Sequence, residues 1–176
     1  AISLLTINSS SASRSLSAKN CKTFFFFSDL KNPSTTHFFS FFTNPILFNK
    51  GEIYQYVGDE IVISWKLKIG LEDNHCLRCY FEMQEAIEKK REQYLRRYGL
   101  VPEFKAGVHS GSVIAGEVGI IKRDITFSGD VLNTAARIQS KCNEYQVKIL
   151  SSNSLLDQLS LDNNYIRLPL GDIELR

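Results

Sequence analysis

Residues 51–65 read GEIYQYVGDEIVISW. Apolar and polar residues alternate on both sides of Gly58-Asp59, and this pattern predicts two strands joined by a tight turn. The expected strands run from Glu52 to Val57 and from Ile61 to Trp65. Together they form a hairpin that presents Asp59 at its tip.

The segments around this hairpin predict alternating strands and helices. Upstream, the Phe-rich run from Lys22 to Ser28 predicts a buried strand, and Asp29 follows it. Downstream, apolar residues recur every three or four positions from about Asn74 to Tyr98, which predicts one long amphipathic helix. Two further strands, a helix over Val131 to Cys142 and a last strand follow. The order predicts an α+β fold of the ferredoxin-like βαββαβ type.

Length and charge limit the domain organisation and the partners. The 176 residues suffice for one domain with a core. We expect residues 1–21 to form a Ser-rich tail or linker, and residues 22–176 to form the domain. The 21 basic and 19 acidic side chains of the whole chain are interleaved, so we expect no nucleic-acid partner. No apolar run reaches the length that spans a bilayer, so a membrane is expected only through regions outside this chain.

The four cysteines are Cys21, Cys76, Cys79 and Cys142. They lack the dense spacing of a secreted disulfide scaffold, which favours a reducing, cytoplasmic location. His75, Cys76 and Cys79 resemble half of a zinc site, but no second pair completes four ligands. We therefore interpret these three residues as ordinary helix residues.

Two acidic residues follow or join predicted strands. Asp29 and Asp59 lie beside each other if the first strand pairs with the hairpin, and their carboxylates suit two Mg²⁺ or Mn²⁺ ions. The alternative is that Asp29 caps a turn and Asp59 only forms the hairpin tip, since Asp is common in both roles.

A second pair of polar residues lies on the predicted helix over Val131 to Cys142. Asn133 and Arg137 are four residues apart, so they project from one face. An amide beside a guanidinium suits a ribose and a phosphate, because the donor fork of Arg matches phosphate oxygens. The alternative is an ordinary surface Arg with a helix-capping Asn.

Three motifs in this order resemble the class III adenylate and guanylate cyclases. They are Tyr56-Val57-Gly58-Asp59-Glu60, the Gly-rich run Gly107-Val108-His109-Ser110-Gly111-Ser112-Val113 with Gly116 and Gly119, and Phe127-Ser128-Gly129-Asp130-Val131-Leu132-Asn133-Thr134-Ala135-Ala136-Arg137. The resemblance covers about residues 22–176 and is stronger after Gly51. It implies the nucleotidyl cyclase fold. It also implies the reaction of this family, in which the ribose 3′-hydroxyl attacks the α-phosphate of a purine nucleoside triphosphate.

The resemblance also assigns roles to residues. Asp29 and Asp59 would hold two Mg²⁺ or Mn²⁺ ions, and Asn133 and Arg137 would act as catalytic residues on the ribose and the phosphate. Gln55 and Thr126 fall on the positions that select the base, with ATP expected rather than GTP. The family's sites lie between two domains, so the resemblance implies a homodimer with shared active sites.

The chain also departs from the family. Only about 20 residues separate Asp29 from Gly51, and the chain ends before the region where the family places a triphosphate-binding Lys. The domain is therefore expected to be shortened after its first strand and at its C-terminus. These gaps leave two alternatives open: a catalytically inactive cyclase-homology module that dimerises or regulates, and an unrelated ferredoxin-like binding domain.

Overall fold

The computed structural model describes residues 2–8, 21–28, 42–118 and 124–175. Nine strands lie in these ranges: β1 (Ile2–Asn8), β2 (Cys21–Ser28), β3 (Glu52–Val57), β4 (Glu60–Lys66), β5 (Lys105–Ser112), β6 (Ile114–Val118), β7 (Asp124–Ser128), β8 (Ile149–Ser152) and β9 (Tyr165–Asp172). Six α-helices lie there too: α1 (Thr43–Phe48), α2 (Leu67–Leu71), α3 (His75–Glu88), α4 (Arg91–Tyr98), α5 (Asp130–Glu144) and α6 (Asn153–Leu156). None of the described helices is both long and apolar enough to cross a bilayer.

Seven strands form one sheet in the order β3-β4-β2-β5-β8-β1-β9, and β6 pairs with β7 in a separate two-stranded sheet. Strand β2 is antiparallel to both β4 and β5, and β3 is antiparallel to β4. In chain order, the four strands of the βαββαβ motif are β2, β3, β4 and β5. Its first strand, β2, therefore lies in the centre of the motif, between the third strand, β4, and the fourth, β5. This arrangement confirms the predicted α+β, ferredoxin-like fold.

Strand β4 shows how helices cover the sheet on both faces. Its residues from Ile61 to Trp65 are all buried, although neighbouring side chains of a strand point to opposite faces. Ile61 and Trp65 belong to the large core that also contains residues of α3. Val62 packs instead with Val131 and Ala135 of α5. Helices α3 and α5 therefore lie on opposite sides of β4.

Two expectations about secondary structure were wrong. Residues 2–8 of the expected tail form β1, which lies between β8 and β9 and is parallel to both. The single helix expected from Asn74 to Tyr98 is divided into α3 and α4. The break lies at Lys89 and Lys90, where the amide of Lys90 donates to the carbonyl of Ile87, three residues back, and tightens the last turn of α3. The division into a tail of residues 1–21 and a domain of residues 22–176 stays a prediction.

Three of the four cysteines are core residues. Cys76, Cys79 and Cys142 are free and buried. Burial raises the pKa of the Cys76 thiol and that of the Cys142 thiol to about 12, so both stay protonated at neutral pH. The described residues contain no group of three His, Cys, Asp or Glu side chains that could hold a metal ion. His75, Cys76 and Cys79 all lie in α3, as their interpretation as helix residues predicts.

Candidate active site

The hairpin tip has the geometry that its sequence predicts. Val57 faces Glu60 across the ladder, which leaves Gly58 and Asp59 as the two-residue loop. Gly58 has a φ of 60°, a left-handed value that glycine adopts without steric cost and that such tight turns require. Asp59 is exposed at this turn, so its carboxylate can reach a ligand or a second molecule.

Glu60 adds a second carboxyl group beside Asp59. Its pKa is raised, first by partial burial and then by the negative charge of Asp59. The tip is therefore a place where negative charge is crowded, and a bound cation would relieve that crowding. Glu60 had no predicted role, although the adjacent acids Asp59-Glu60 were a sequence signal that could have revealed it.

The end of β2 lies next to this tip. Phe27 pairs with Ile61 of β4, and Ser28 pairs with Lys105 of β5. The register therefore places the last residues of β2 beside the start of β4, which is the pairing on which the predicted proximity of Asp29 and Asp59 depends. Asp29, the other predicted metal ligand, lies outside the described residues.

The two predicted base-selecting residues lie on different sheets. Gln55 is exposed on the edge strand β3 and pairs with Val62, next to an irregularity in the register at Ile53. Thr126 lies in β7, where its backbone pairs with Gly116 of β6. Within the described residues, the two positions thus belong to separate sheets of the domain.

Helix α5 presents the predicted catalytic pair. Its buried side is formed by residues at helical spacing, among them Val131, Ala135 and Ile138. Asn133 and Arg137 lie one turn apart on the exposed side. The guanidinium Nη1 of Arg137 donates to the backbone carbonyl of Leu175 at 3.4 Å. The structure thus brings these two residues together, as their spacing predicts, and leaves their side chains accessible.

The buried side of α5 lies directly on the backbone of β5. A Cβ atom placed on Gly107 would lie only 2.4 Å from the carbonyl oxygen of Ala135 and 2.4 Å from the amide nitrogen of Gln139. Nearer the helix end, the thiol of Cys142 donates to the carbonyl of Ala106 at 3.4 Å. Glycine at position 107 therefore permits a helix-to-strand approach that no other residue would allow.

A buried histidine joins two central strands of the sheet. Nδ1 of His109 in β5 lies 2.8 Å from Oγ of Ser152 in β8. Burial lowers the pKa of His109 to about 4, although the charge of Asp130 in the first turn of α5 acts in the opposite direction. His109 is therefore neutral at physiological pH, and its hydrogen bond to Ser152 joins two central strands.

The hairpin residues and the helix residues form two separate exposed groups. In the described part of the chain, no hydrogen bond or ion pair joins Asp59 or Gln55 to Asn133 or Arg137. Both groups are nevertheless tied to one core, because Val62 of the hairpin packs against Val131 of α5. One chain thus presents an acidic group and a basic group on elements whose relative position is fixed.

A protein-family model, described as the adenylate and guanylate cyclase catalytic domain, matches residues 36–176. Adenylate cyclase 2 of Rhizobium meliloti (strain 1021) is 37% identical over 121 residues, which are 69% of this chain and 33% of that protein. Guanylate cyclase 2D of Rattus norvegicus is 38% identical over 72 residues, or 41% of this chain and 6% of that protein. The chain spans a third or less of the length of these relatives.

Solved structures share the fold. A bacterial light-regulated adenylyl cyclase matches with a TM-score of 0.67 and 22% identity over 78% of each chain. The guanylyl cyclase Cya2 matches with a TM-score of 0.65 and 21% identity over 80% of this chain and 79% of that one. The family match includes the hairpin and α5 and begins after Asp29. On these matches, and as the three motifs indicated, the chain belongs to the family of adenylate and guanylate cyclase catalytic domains.

Proposed function

We propose that this chain is the catalytic domain of a nucleotidyl cyclase, which converts a purine nucleoside triphosphate to a 3′,5′-cyclic nucleotide and pyrophosphate for signalling. The observation that carries the proposal is the exposed pair of Asn133 and Arg137 on a helix that is firmly seated on the sheet. An exposed Arg held on a rigid element can meet a phosphate without reorganising first.

The reaction needs few covalent steps. The 3′-oxygen of the ribose forms a bond to the α-phosphorus, the bond from that phosphorus to the bridging oxygen breaks, and pyrophosphate leaves. The proton of the 3′-hydroxyl is lost to solvent or to a nearby base. Negative charge grows on the phosphate oxygens during this exchange, and the fork of Arg137 would stabilise it. The amide of Asn133, one turn earlier, would orient the ribose.

The hairpin tip suits divalent cations by its chemistry. Asp59 supplies an exposed carboxylate, and the pKa of the neighbouring Glu60 is raised first by partial burial and then by the negative charge of Asp59. Oxygen ligands of this kind suit Mg²⁺ or Mn²⁺. We propose that Asp59 and Asp29 hold two such ions, which would lower the pKa of the attacking hydroxyl and neutralise phosphate charge.

The separation of the two exposed groups favours a shared site. Asp59 and Arg137 lie on different elements, without a direct contact between them in the described part of the chain. We propose that two copies of the chain associate so that Asp59 of one copy and Asn133 with Arg137 of the other meet one nucleotide. Each homodimer would then contain two such sites.

Substrate choice and location belong to the same proposal. Gln55 and Thr126 would contact the base, and the amide of Gln55 can both donate and accept hydrogen bonds. We propose ATP rather than GTP as the substrate, in line with adenylate cyclase 2 of Rhizobium meliloti, which has the higher coverage among the relatives named above. The free, buried thiols fit a reducing compartment, so we place the domain in the cytoplasm.

The test is an activity assay with ATP or GTP and Mn²⁺ on the full chain and on two variants. Arg137→Ala should lower kcat by about 100-fold to 1,000-fold, the effect of removing one donor that stabilises transition-state charge. Asp59→Ala should abolish activity by removing a metal ligand. Arg96→Ala is the matched control, because Arg96 is also exposed and also donates to a backbone carbonyl at 3.4 Å.

Mixing the two inactive variants tests the shared site. A heterodimer of Asp59→Ala and Arg137→Ala chains contains one intact site and one doubly altered site, so the mixture should recover activity. Recovery would be impossible if each site came from a single copy. A full chain that forms dimers but makes no cyclic nucleotide with either substrate would support the inactive regulatory module instead.

A further inference from the structure

The residues that follow β9 return to helix α5. Ile173 and Leu175 are partly buried and pack against a small apolar cluster. Ile138 and Cys142 of α5 belong to that cluster, and Ile138 is the residue after Arg137. Residues 173–175, which we call the strap, therefore pack on a cluster that α5 helps to form.

A bulge at the end of β9 precedes the strap. Between two successive register pairs, β1 advances by two residues, from Thr6 to Asn8. Over the same interval β9 advances by three, from Pro169 to Asp172. Gly171 lies within this bulge, and its φ of 83° is in the left-handed region that glycine tolerates. Because a bulge bends its strand and disrupts the pairing, the strap begins where β9 bends and ends.

The strap also contacts Arg137 directly. Nη1 of Arg137 donates to the backbone carbonyl of Leu175 at 3.4 Å. Among the described residues, no carboxylate forms an ion pair with this guanidinium. The guanidinium has further N–H groups in its fork, so the bond to Leu175 leaves donors for a ligand.

We propose that the strap positions Arg137, because the Leu175 carbonyl holds the guanidinium in one orientation for the phosphate charge that develops in the proposed reaction. A long side chain that rotates freely must be ordered before it can stabilise a transition state, and this ordering costs free energy. The apolar packing of the strap meets part of that cost in advance. This inference rests on the proposed role of Arg137.

A backbone carbonyl suits this task because it is neutral. It accepts a hydrogen bond from Arg137 without cancelling the positive charge that a phosphate needs. A carboxylate in the same place would form an ion pair with the guanidinium and compete with the phosphate. Ile173 and Leu175 are therefore positioning residues, which act through Arg137 and need not touch the nucleotide.

The double substitution Ile173→Ser with Leu175→Ser tests the proposal, because it removes the apolar contacts of the strap and keeps its backbone. The kcat of the full chain with ATP or GTP and Mn²⁺ should fall by about threefold to tenfold, the cost of ordering one long side chain. KM should stay unchanged, because Arg137 is proposed to act on charge that develops in the transition state. In an Arg137→Ala background the double substitution should change kcat by less than about twofold, since nothing remains to be positioned.

The order of the Arg137 side chain can be measured without turnover. The ¹⁵N relaxation of its Nε–Hε group should show a restricted side chain in the wild-type chain and a mobile one in the double variant. If the wild-type chain makes no cyclic nucleotide, the proposed function fails, and the relaxation data alone decide whether the strap holds Arg137.

Ile166→Ser with Leu168→Ser is the matched control. It changes the same two residue types on β9, where Ile166 is 42% exposed and Leu168 is 43% exposed. Neither is among the described residues of the cluster under the strap. The control should leave kcat and the order of Arg137 unchanged, and melting temperatures would show that both double variants are folded.

Three results would each overturn the proposal. The first is an Arg137 side chain that is equally mobile in the wild-type chain and in the strap variant. The second is an equal loss of kcat in the control variant. The third is a full further loss of kcat when the strap substitutions are added to Arg137→Ala, because the strap would then act on something other than Arg137.

Discussion

Helix α5 and the tip of the β3–β4 hairpin carry the two groups of candidate residues, and they differ in how tightly the fold holds them. Helix α5 touches the backbone of β5 at Gly107, where not even a methyl group fits. The hairpin tip is open, because β3 is an edge strand and a Cβ on Gly58 would meet no described atom within 4 Å.

This difference has a functional meaning if the site is shared between two copies. The element that stabilises transition-state charge gains from rigidity, since its donors must already point at the phosphate. The element that binds metal ions and faces a second copy can tolerate small adjustments. Substitutions where α5 contacts the backbone of β5 should therefore lower the stability of the chain far more than substitutions at the hairpin tip.

The largest effect is expected for Gly107→Ala. Its new methyl group would press on the backbone of Ala135 and Gln139, neither of which can turn aside. We expect the free energy of unfolding to fall by about 3 kcal/mol, the upper part of the usual range for overpacking. Urea denaturation followed by circular dichroism measures this change.

Gly116→Ala in β6 is the matched control for Gly107→Ala. A Cβ atom at Gly116 would meet no heavy atom of the described chain within 4 Å. Its effect on stability should stay within about 0.5 kcal/mol, as for other open surface positions. Equal destabilisation by the two substitutions would contradict the close seating of α5.

The second prediction concerns His109, which joins β5 to β8 through its hydrogen bond to Ser152. Its pKa is lowered to about 4 from 6.5 by burial, so the unfolded chain takes up its proton first as the pH falls. The stability that neutral His109 provides is complete above pH 6.5 and is lost as the pH falls toward 4. Between about pH 7 and pH 4.5 the loss should amount to about 2 kcal/mol.

His109→Gln removes this titration, so the variant should lose about 2 kcal/mol less than the wild-type chain over the same pH interval. Ser152→Ala is the control, because it deletes the hydrogen-bond partner of His109 but leaves the imidazole buried. That control should lower stability at every pH without changing the pH dependence. Parallel stability curves for the wild-type chain and His109→Gln would show that His109 does not titrate as described.

The same contrast explains what the sequence could reveal. The hairpin and the exposed face of α5 depend on local patterns, namely strand alternation and helical spacing, so Gly58, Asp59, Asn133 and Arg137 fell where expected. The position of β1 between β8 and β9 depends on pairing between distant segments, which no local pattern encodes. The break between α3 and α4 also escaped prediction, because apolar spacing continues across it.

The proposed roles of the site residues depend on molecules that are outside the sequence of one chain. Exposure of Asp59 and Arg137 follows from the fold, but the proposed metal binding and charge stabilisation would depend on a nucleotide and a second copy of the chain. The close approach of α5 to β5 at Gly107 was partly predictable from the sequence, since a glycine inside a strand indicates a close backbone approach. Its partners, Ala135 and Gln139, were not, because they lie about 30 residues away in sequence.

The smallest expected effect concerns Glu60 at the hairpin tip. Its pKa is raised by partial burial and by Asp59, so the folded chain holds this proton more tightly than the unfolded chain does. The stabilising contribution of protonated Glu60 is present below pH 4.5 and is lost as the pH rises through the raised pKa. Glu60→Gln keeps the neutral form at all pH values. It should therefore stabilise the chain at neutral pH by a few tenths of a kcal/mol, since the group is largely solvated.

Glu52→Gln on the neighbouring strand should have the opposite sign, because Glu52 lies 3.5 Å from Nζ of Lys22 and loses an attractive partner when neutralised. Urea denaturation of both variants at neutral pH and near pH 4 measures whether Glu60→Gln stabilises the chain and Glu52→Gln destabilises it. A destabilised Glu60→Gln variant at neutral pH would mean that the tip gains from the charge of Glu60, and the crowding of negative charge beside Asp59 would no longer support a cation there.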